Sequence, residues 1–255
     1  MASLLIPLPD RDFDVTEVAV PWTLARRAGH EVVFATERGA VGEADPLLLT
    51  GVLFGQLGAE PEPKALYAEM TASPEFRAPI AWETIRPEDF DALVLPGGHA
   101  QGMRQYLGSA MLQDRVSTFW DLKRPIGAIC HGVLVLARAR RADGRSVLHG
   151  RRTTCLPAYM ERAAYWLTAW KLGRYYRTYP ELVEQEVRAA LAGPQDFARG
   201  PVTLIRRGTE TDDRGSFVVE DGQYVSARWP GDAYAFARAL LAKLEAPEAV
   251  IPPGR

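Results

Sequence analysis

Residues 125–137 read Pro-Ile-Gly-Ala-Ile-Cys-His-Gly-Val-Leu-Val-Leu-Ala. A short apolar run ends at Cys130-His131-Gly132, and a second apolar run at helical spacing follows at once. This pattern predicts a buried strand, a sharp turn and then a helix. A thiol at the amino end of a helix meets partial positive charge and free N–H groups, which favour thiolate over thiol. Cys130 is therefore the candidate nucleophile, with His131 beside it to move a proton. The competing interpretation is a small buried cysteine that only packs.

Strand and helix patterns alternate along the rest of the chain. Strands are predicted at 3–8, 30–36, 91–95, around Ile126, at 202–206 and in a hairpin over 216–219 and 223–226. Helices are predicted at 16–28, 63–70, 109–122 and 232–244, with a kink or a regular start near Pro21 in the first of them. This order predicts an α/β fold with a doubly wound, mostly parallel sheet, helices on both faces and a helical insertion.

The patterns give no sign of a linker between independent domains. We predict a single α/β domain at 1–246, with insertions at about 37–87 and about 156–200. A loose tail is predicted at 247–255. Residues 156–191 are rich in Tyr and Trp, and their spacing predicts two helices broken near Tyr179. These helices either cap the site or form an aromatic layer that packs on the sheet or on a second subunit.

Composition limits the classes of function. The chain has 255 residues, 47% of them hydrophobic and 24% charged, with a net charge of −2. The absence of a long Lys/Arg run argues against a nucleic-acid partner. Apolar runs stay short of 18 residues and the amino terminus lacks a signal-peptide pattern, so we expect neither a membrane span nor export. We expect a cytoplasmic protein that acts on a small molecule.

The cysteine and histidine spacing predicts no metal centre. Cys130 and Cys155 are too few for a disulfide framework, and the four histidines lack the helical spacing of a zinc site. Phosphate-loop and dinucleotide fingerprints are also missing, so no cofactor is expected.

Two further groups are expected at the same edge of the sheet as Cys130. The glycines of the turn Pro96-Gly97-Gly98-His99 follow a strand, and their N–H groups could hold a developing oxyanion. Glu17 begins the first helix and could move a proton if burial raises its pKa. The alternatives are a plain tight turn and a glutamate that stabilises the helix start.

These pieces resemble the ThiJ/PfpI superfamily, within the flavodoxin-like, class I glutamine-amidotransferase-like fold. The resemblance covers about the first 155 residues and rests on motifs in the right order at 14–21, 28–36, 91–99 and 128–132. A recognisable end follows at 224–228. The spacing of Glu17 and Pro21 resembles the larger branch that contains heat-shock chaperone and glyoxalase III proteins. A glutamine amidotransferase would need a His-x-Glu after its cysteine, and no histidine follows His149.

The resemblance implies roles for particular residues. Cys130 would be the nucleophile, Glu17 a nearby protonated carboxyl, and His131 their partner. Gly97, Gly98 and His99 would bind the oxyanion and substrate together with the His131 amide. Some relatives have a third acidic triad member, for which Glu161 is the candidate, and the family commonly forms homodimers.

The leading hypothesis is a cysteine enzyme acting on reactive carbonyl compounds, without metal or cofactor. The Cys130 thiolate would add to a 2-oxoaldehyde such as methylglyoxal, and protons would move through an enediol to give a hydroxy acid; deglycase-type hydrolysis would use the same residues. Hydration or hydrolysis at another electrophilic carbon, such as an isonitrile or an amide, is a related alternative. A second class is a holdase chaperone or an oxidation-sensing stress protein, in which Cys130 oxidises to sulfinate.

Overall fold

A computed structural model of the chain describes residues 1–52, 57–203 and 205–245. Within these residues a seven-stranded sheet has the order β5-β3-β1-β6-β7-β9-β8. Its strands are β1 (Ser3–Pro7), β3 (Glu31–Thr36), β5 (Ile80–Ala81), β6 (Ala92–Leu95), β7 (Ile126–Ile129), β8 (Val218–Asp221) and β9 (Tyr224–Ala227), while β2 (Arg11–Phe13) and β4 (Glu43–Ala44) form a separate pair. All neighbours in the main sheet are parallel except β8 and β9.

Helices cover both faces of this sheet. They are α1 (Val15–Arg27), α2 (Pro46–Thr50), α3 (Pro61–Ala72), α4 (Pro74–Arg77), α5 (Met103–Leu107), α6 (Ala110–Asp121), α7 (Val133–Arg138), α8 (Ala158–Leu172), α9 (Val183–Ala190) and α10 (Ala233–Glu245). Helix α1 packs against α3 and α10, and α7 packs against α6 and α9. The doubly wound, mostly parallel α/β fold expected from the sequence is confirmed. None of the helices in the described ranges has the length and apolar character needed to cross a bilayer.

The predicted elements and the observed ones agree closely, with one exception. The hairpin around Gly222 and the two helices of the second insertion are present, and α1 runs from Val15 through Pro21. The strand predicted at 202–206 is wrong, because its described residues form no strand. Val202 and Ile205 are 76% and 88% exposed, so their alternating apolar pattern packs against no sheet. The predicted tail at 247–255 lies outside the described residues.

The carboxyl edge of the sheet collects the segments that carry the candidate residues. The Gly97 turn follows β6, the Cys130 turn follows β7, and Trp229 follows β9 shortly after its last residue. Helix α1 starts at the same edge, where the Asp14 side chain accepts hydrogen bonds from the Thr16 and Glu17 amides at 2.7 and 3.0 Å. This N-cap fixes the first turn of α1 and, with it, the position of Glu17.

A buried ion pair fixes the chain that follows β9. Arg228 and Asp232 are both fully buried, and the Arg228 Nε lies 2.8 Å from Asp232 Oδ2. Arg228 also donates to the carbonyl of Pro201 at 2.7 Å, and the Phe217 amide donates to Asp232. The pair therefore ties the irregular 201–217 segment to the carboxyl edge of the sheet.

Replacing Arg228 with Leu should lower the free energy of unfolding by about 3–5 kcal/mol, because it leaves the Asp232 carboxylate buried without its partner. Arg238→Leu is the matched control, since Arg238 pairs with Asp213 on the surface and such pairs contribute about 0–1 kcal/mol. Urea denaturation of the two variants measures the difference. Equal losses would contradict a structural role for the buried pair.

Candidate active site

Cys130 occupies a strained turn between β7 and α7. Its φ angle is +58°, in the left-handed region that residues with a Cβ rarely adopt. A 3₁₀ turn over Cys130–Gly132 then leads into α7. A Cβ at Gly132 would lie 2.1 Å from the Leu95 carbonyl oxygen, so the turn packs directly on the end of β6. Strain of this kind persists only where the surroundings enforce it, and it clusters at functional sites.

Gly97 brings the turn after β6 against the Cys130 turn. A Cβ on Gly97 would lie 2.7 Å from the His131 amide nitrogen, 2.8 Å from Glu17 Oε2 and 3.0 Å from the Cys130 Cβ. The Gly97 N–H donates to Glu17 Oε2 at 2.8 Å, and its carbonyl accepts from the Asp14 amide at 2.9 Å. The structure therefore brings Glu17, Gly97, Cys130 and His131 together, as the sequence predicted.

Burial governs the protonation of the two carboxyls at this junction. Glu17 is fully buried, and desolvation together with the neighbouring Asp14 charge raises its pKa well above the ordinary value. Burial raises the pKa of Asp14 to about 6, although its hydrogen bonds with the Glu17 and Thr16 amides act in the opposite direction. Burial thus shifts Glu17 toward its protonated form, in which it could donate a proton beside Cys130.

The sequence had suggested that the helix terminus would lower the pKa of the Cys130 thiol. In the structure the pKa is raised instead. Cys130 is 0% exposed. Burial and then the nearby Glu17 and Asp14 carboxyls raise its pKa, which outweighs the hydrogen bond from the His131 amide. Glu17 and Cys130 lie in the same buried site, where a second negative charge would be costly. Activation of the sulfur therefore requires a base.

His131 is the neighbouring side chain whose hydrogen bonds suit that role. Its Nδ1 lies 3.5 Å from the Cys130 Sγ, and its Nε2 lies 3.2 Å from the Thr178 hydroxyl. That hydroxyl donates its only proton to the His99 carbonyl, so toward His131 it can act only as an acceptor. This assigns the proton of the neutral imidazole to Nε2 and leaves the Nδ1 lone pair facing the thiol. Burial lowers the pKa of His131, which keeps the ring neutral and able to accept a proton.

Glu161 does not orient His131 in the structure. Its Oε2 accepts from the Val183 amide at 3.0 Å, at the start of α9, and burial raises its pKa to about 7. Both ring nitrogens of His131 are engaged by Cys130 and Thr178 instead. The position assigned to Glu161 from the resemblance is thus filled by a hydroxyl, because the chain between α8 and α9 places Thr178 there.

The oxyanion site differs in one respect from the expectation. The Gly97 N–H already donates to Glu17, which removes it from the set of free donors. The Gly98 N–H donates to no protein group in the described part of the chain. A Cβ at Gly98, where φ is +159°, would lie 2.6 Å from the Asp12 carbonyl oxygen, so this close turn requires glycine. The Gly98 amide is therefore the donor that the turn can offer to a substrate oxygen.

Folding also creates a metal-capable group that the sequence spacing did not predict. The ligand atoms of His99, Cys130 and His131 all lie within 4.8 Å of one another. Two imidazoles and a thiol form a donor set that suits Zn²⁺. The expectation of no metal centre was based on spacing along single helices, whereas these residues come from two turns at one sheet edge.

A cavity of about 380 Å³ adjoins this cluster. His99 lines it and is in edge-to-face contact with the rings of His131 and Tyr176 at centroid distances of 5.1 and 5.3 Å. Asp14 and Arg207 also line it, and the remaining lining side chains are mostly apolar. His99 therefore connects the cavity with the Cys130 turn, while Cys130 itself is fully buried.

Sequence reasoning missed several contributors to the site. Asp14 carried a recognisable signal, because an acidic residue directly before a helix is a typical N-cap. Thr178 carried none, since it lies in the insertion, outside every motif. Tyr176 belongs to the Tyr- and Trp-rich segment for which a cap over the site was one of the two predictions. Two hydrogen bonds fix the backbone at Thr178. Arg104 Nε donates to the Thr178 carbonyl oxygen, and the Gln101 amide donates to the neighbouring carbonyl of Arg177 at 3.1 Å.

A family model described as ThiJ/PfpI family-like matches residues 8–201. The chain belongs to this family. It is similar over 248 residues to an uncharacterised protein of Schizosaccharomyces pombe, with 29% identity over 93% of this chain and 82% of the relative. It is similar over 238 residues to the deglycase PfpI of Pyrococcus furiosus, with 26% identity over 93% and 97% of the two chains.

The fold also matches solved structures. The crystal structure of glyoxalase III from Candida albicans superposes with a TM-score of 0.68 and 20% identity, over 95% of this chain and 97% of the other. At this identity the superposition establishes a common fold. The resemblance to the ThiJ/PfpI superfamily inferred from the sequence motifs is thus confirmed.

Thr178→Val should disturb the His131 tautomer, because the hydroxyl that accepts the Nε2 proton is removed while the side-chain shape is kept. We expect the Nε2–H preference, read from ¹⁵N ring shifts, to weaken and alkylation of Cys130 by iodoacetamide to slow by about tenfold, within the range for losing a positioned base. Thr178→Ser keeps a hydroxyl and should restore both signals. An unchanged tautomer in Thr178→Val would show that Thr178 does not orient the ring.

Proposed function

We propose that this chain is a cofactor-independent cysteine enzyme that acts on small reactive carbonyl compounds. The leading reaction is conversion of a 2-oxoaldehyde to a 2-hydroxy acid, and deglycase-type hydrolysis is the variant that uses the same residues. The observation that carries the proposal is the Cys130 thiol, held on a strained turn, with the free Nδ1 of a neutral His131 3.5 Å away and a cavity that adjoins the site.

In the first step the Cys130 sulfur adds to the aldehyde carbon while His131 Nδ1 takes the thiol proton. The carbonyl oxygen becomes the hydroxyl of a hemithioacetal after protonation, and the Gly98 amide stabilises the negative charge that develops on it. Full burial of the sulfur favours this concerted activation, because a free thiolate would be costly at that position.

The second step moves hydrogen between the two reacting carbons. A proton leaves the former aldehyde carbon and another is delivered to the neighbouring carbon through an enediol, so the first carbon is oxidised and the second is reduced. Protonated Glu17 and His131 are the groups placed to carry these protons. Water then hydrolyses the resulting thioester, which releases the 2-hydroxy acid and restores the Cys130 thiol.

The family assignment supports this proposal. Relatives that match almost the whole chain include proteins named as deglycases. Hydration of an isonitrile or hydrolysis of an amide would need the same nucleophile and oxyanion donor, so those electrophiles belong in the same screen.

One surface feature favours a holdase chaperone as a second candidate. Trp166 and Trp170 are each 75% exposed on the outer face of α8, and Leu167 beside them is 56% exposed. Exposed aromatic clusters of this kind mark interaction sites. Oxidation sensing is less favoured, because burial of Cys130 hinders the thiolate chemistry that peroxide needs.

Cys130→Ser should lower kcat/KM for 2-oxoaldehydes by about a thousandfold or more, as expected when a nucleophile is lost. Cys155→Ser is the matched control, since Cys155 is a second buried free cysteine with only a weak contact to the Leu156 carbonyl. Glu17→Gln should cost about a hundredfold, because the amide cannot transfer a proton. Full activity in Cys130→Ser would refute the mechanism.

A Trp166→Ser, Trp170→Ser double variant separates the chaperone candidate from the enzyme. If the exposed face of α8 holds unfolding clients, the double variant should lose suppression of thermal aggregation of a test protein and bind less hydrophobic dye, while its turnover is unchanged. Wild-type protein that fails to suppress aggregation would exclude the holdase role.

A further inference from the structure

The cavity lined by His99 has a few polar side chains and a mostly apolar wall. The polar ones include Asp14, Thr16, His99 and Arg207. The apolar side chains come from α2, from α8 and the chain just before it, and from the chain after β9, and they include Leu48, Leu156, Met160, Ala164 and Trp229. A bound molecule whose reactive carbon lies at His99 would therefore place its remaining atoms among hydrocarbon groups.

The size of the cavity exceeds what a three-carbon substrate needs. Methylglyoxal has five non-hydrogen atoms, and at roughly 30 Å³ for each water-sized group it would occupy less than half of the cavity volume of about 380 Å³. The unfilled part would be lined by apolar side chains and would be poorly hydrated. Burial of apolar surface of the substrate there would strengthen binding.

The charged group on the wall does not change this conclusion. The Arg207 guanidinium lies 5.3 Å from the centre of the Trp229 ring, and its Nε is 3.5 Å from Glu60 Oε1. The Arg207 guanidinium therefore has an acidic and an aromatic partner within the protein, and its charge also acts on Asp14. Asp14, which is also on the wall, uses Oδ1 to cap α1.

We propose that the substrate carries a branched alkyl or aromatic group of about four to eight carbons beside its electrophilic carbon. This inference rests on the proposed function and specifies its substrate class. The apolar group would lie between α8 and Trp229, and the reactive carbonyl would sit at His99, next to the Cys130 sulfur and the Gly98 amide.

Steady-state kinetics with methylglyoxal and 4-methyl-2-oxopentanal test the proposal. The branched compound should have a kcat/KM at least about tenfold higher, since three additional carbons are buried. Ala164→Phe would fill the wall of α8 and should reduce this ratio by about tenfold. Arg162→Phe is the control, because Arg162 is exposed on the same helix, and it should leave the ratio unchanged. Equal kcat/KM values for the two aldehydes in wild-type protein would overturn the proposal.

Binding of the reaction products to Cys130→Ala distinguishes a failure of the substrate proposal from a failure of the proposed function. This experiment needs no substitution in the cavity. The expected products, lactate and 2-hydroxy-4-methylpentanoate, are compared by ligand-observed NMR, and the branched acid should bind at least about tenfold more tightly. If it does so while wild-type protein turns over neither aldehyde, the carbonyl chemistry is wrong and the apolar site stands. If aldehydes are consumed but neither acid is preferred, or if neither acid binds, the substrate inference is overturned.

Discussion

The site depends on the contact between the turn after β6 and the turn after β7. A Cβ added at Gly97 would lie within 3.0 Å of both Glu17 Oε2 and the Cys130 Cβ. Its N–H fixes the Glu17 carboxyl, and its carbonyl fixes the Asp14 amide. One residue without a side chain thus joins three segments that are far apart in the sequence. The parallel sheet makes this contact possible, because it brings the carboxyl ends of β6 and β7 side by side.

The burial of this contact determines which protonation states its side chains favour. Glu17, Cys130 and His131 are each fully buried, and burial shifts the pKa of each group toward its neutral form. Burial therefore favours the neutral form of all three groups, and hydrogen bonds with Gly97 and Thr178 orient Glu17 and His131. Such preorganisation concentrates electrostatic stabilisation on the reacting state.

The local pattern of the sequence was enough to predict the alternating elements and the place of Cys130 between strand and helix. Burial was not predictable in the same way, since it arises from packing between distant segments, and so the thiol pKa differs from the expectation based on the helix end. Thr178 lies 47 residues from His131 in the chain, and no spacing rule connects the two. The apolar residues at 202–206 misled for a related reason, because Val202 and Ile205 are exposed in the structure and do not pack on the sheet.

The cluster of His99, Cys130 and His131 and the hydrogen bond of Gly97 show the same limit for predictions about the site. Residue types indicated which chemistry the edge of the sheet could support, but the partners of each donor depend on three-dimensional arrangement. Gly97 and Gly98 look equivalent in the sequence, yet only the Gly98 amide stays available to a ligand. His99 was expected among the residues that bind the oxyanion and substrate, and its ring lines the cavity.

The insertion between the Cys130 helix and the final hairpin serves two purposes at once. Its helix α8 forms a wall of the cavity, and the segment that follows supplies Thr178, which sets the imidazole tautomer. In the proposed enzyme, substrate selectivity and the activation of the nucleophile therefore depend on the same insertion. An evolutionary exchange of this insertion would retune the base along with the substrate, so divergence within such a scaffold should proceed by coordinated replacement of the whole segment more readily than by gradual reshaping of the wall alone.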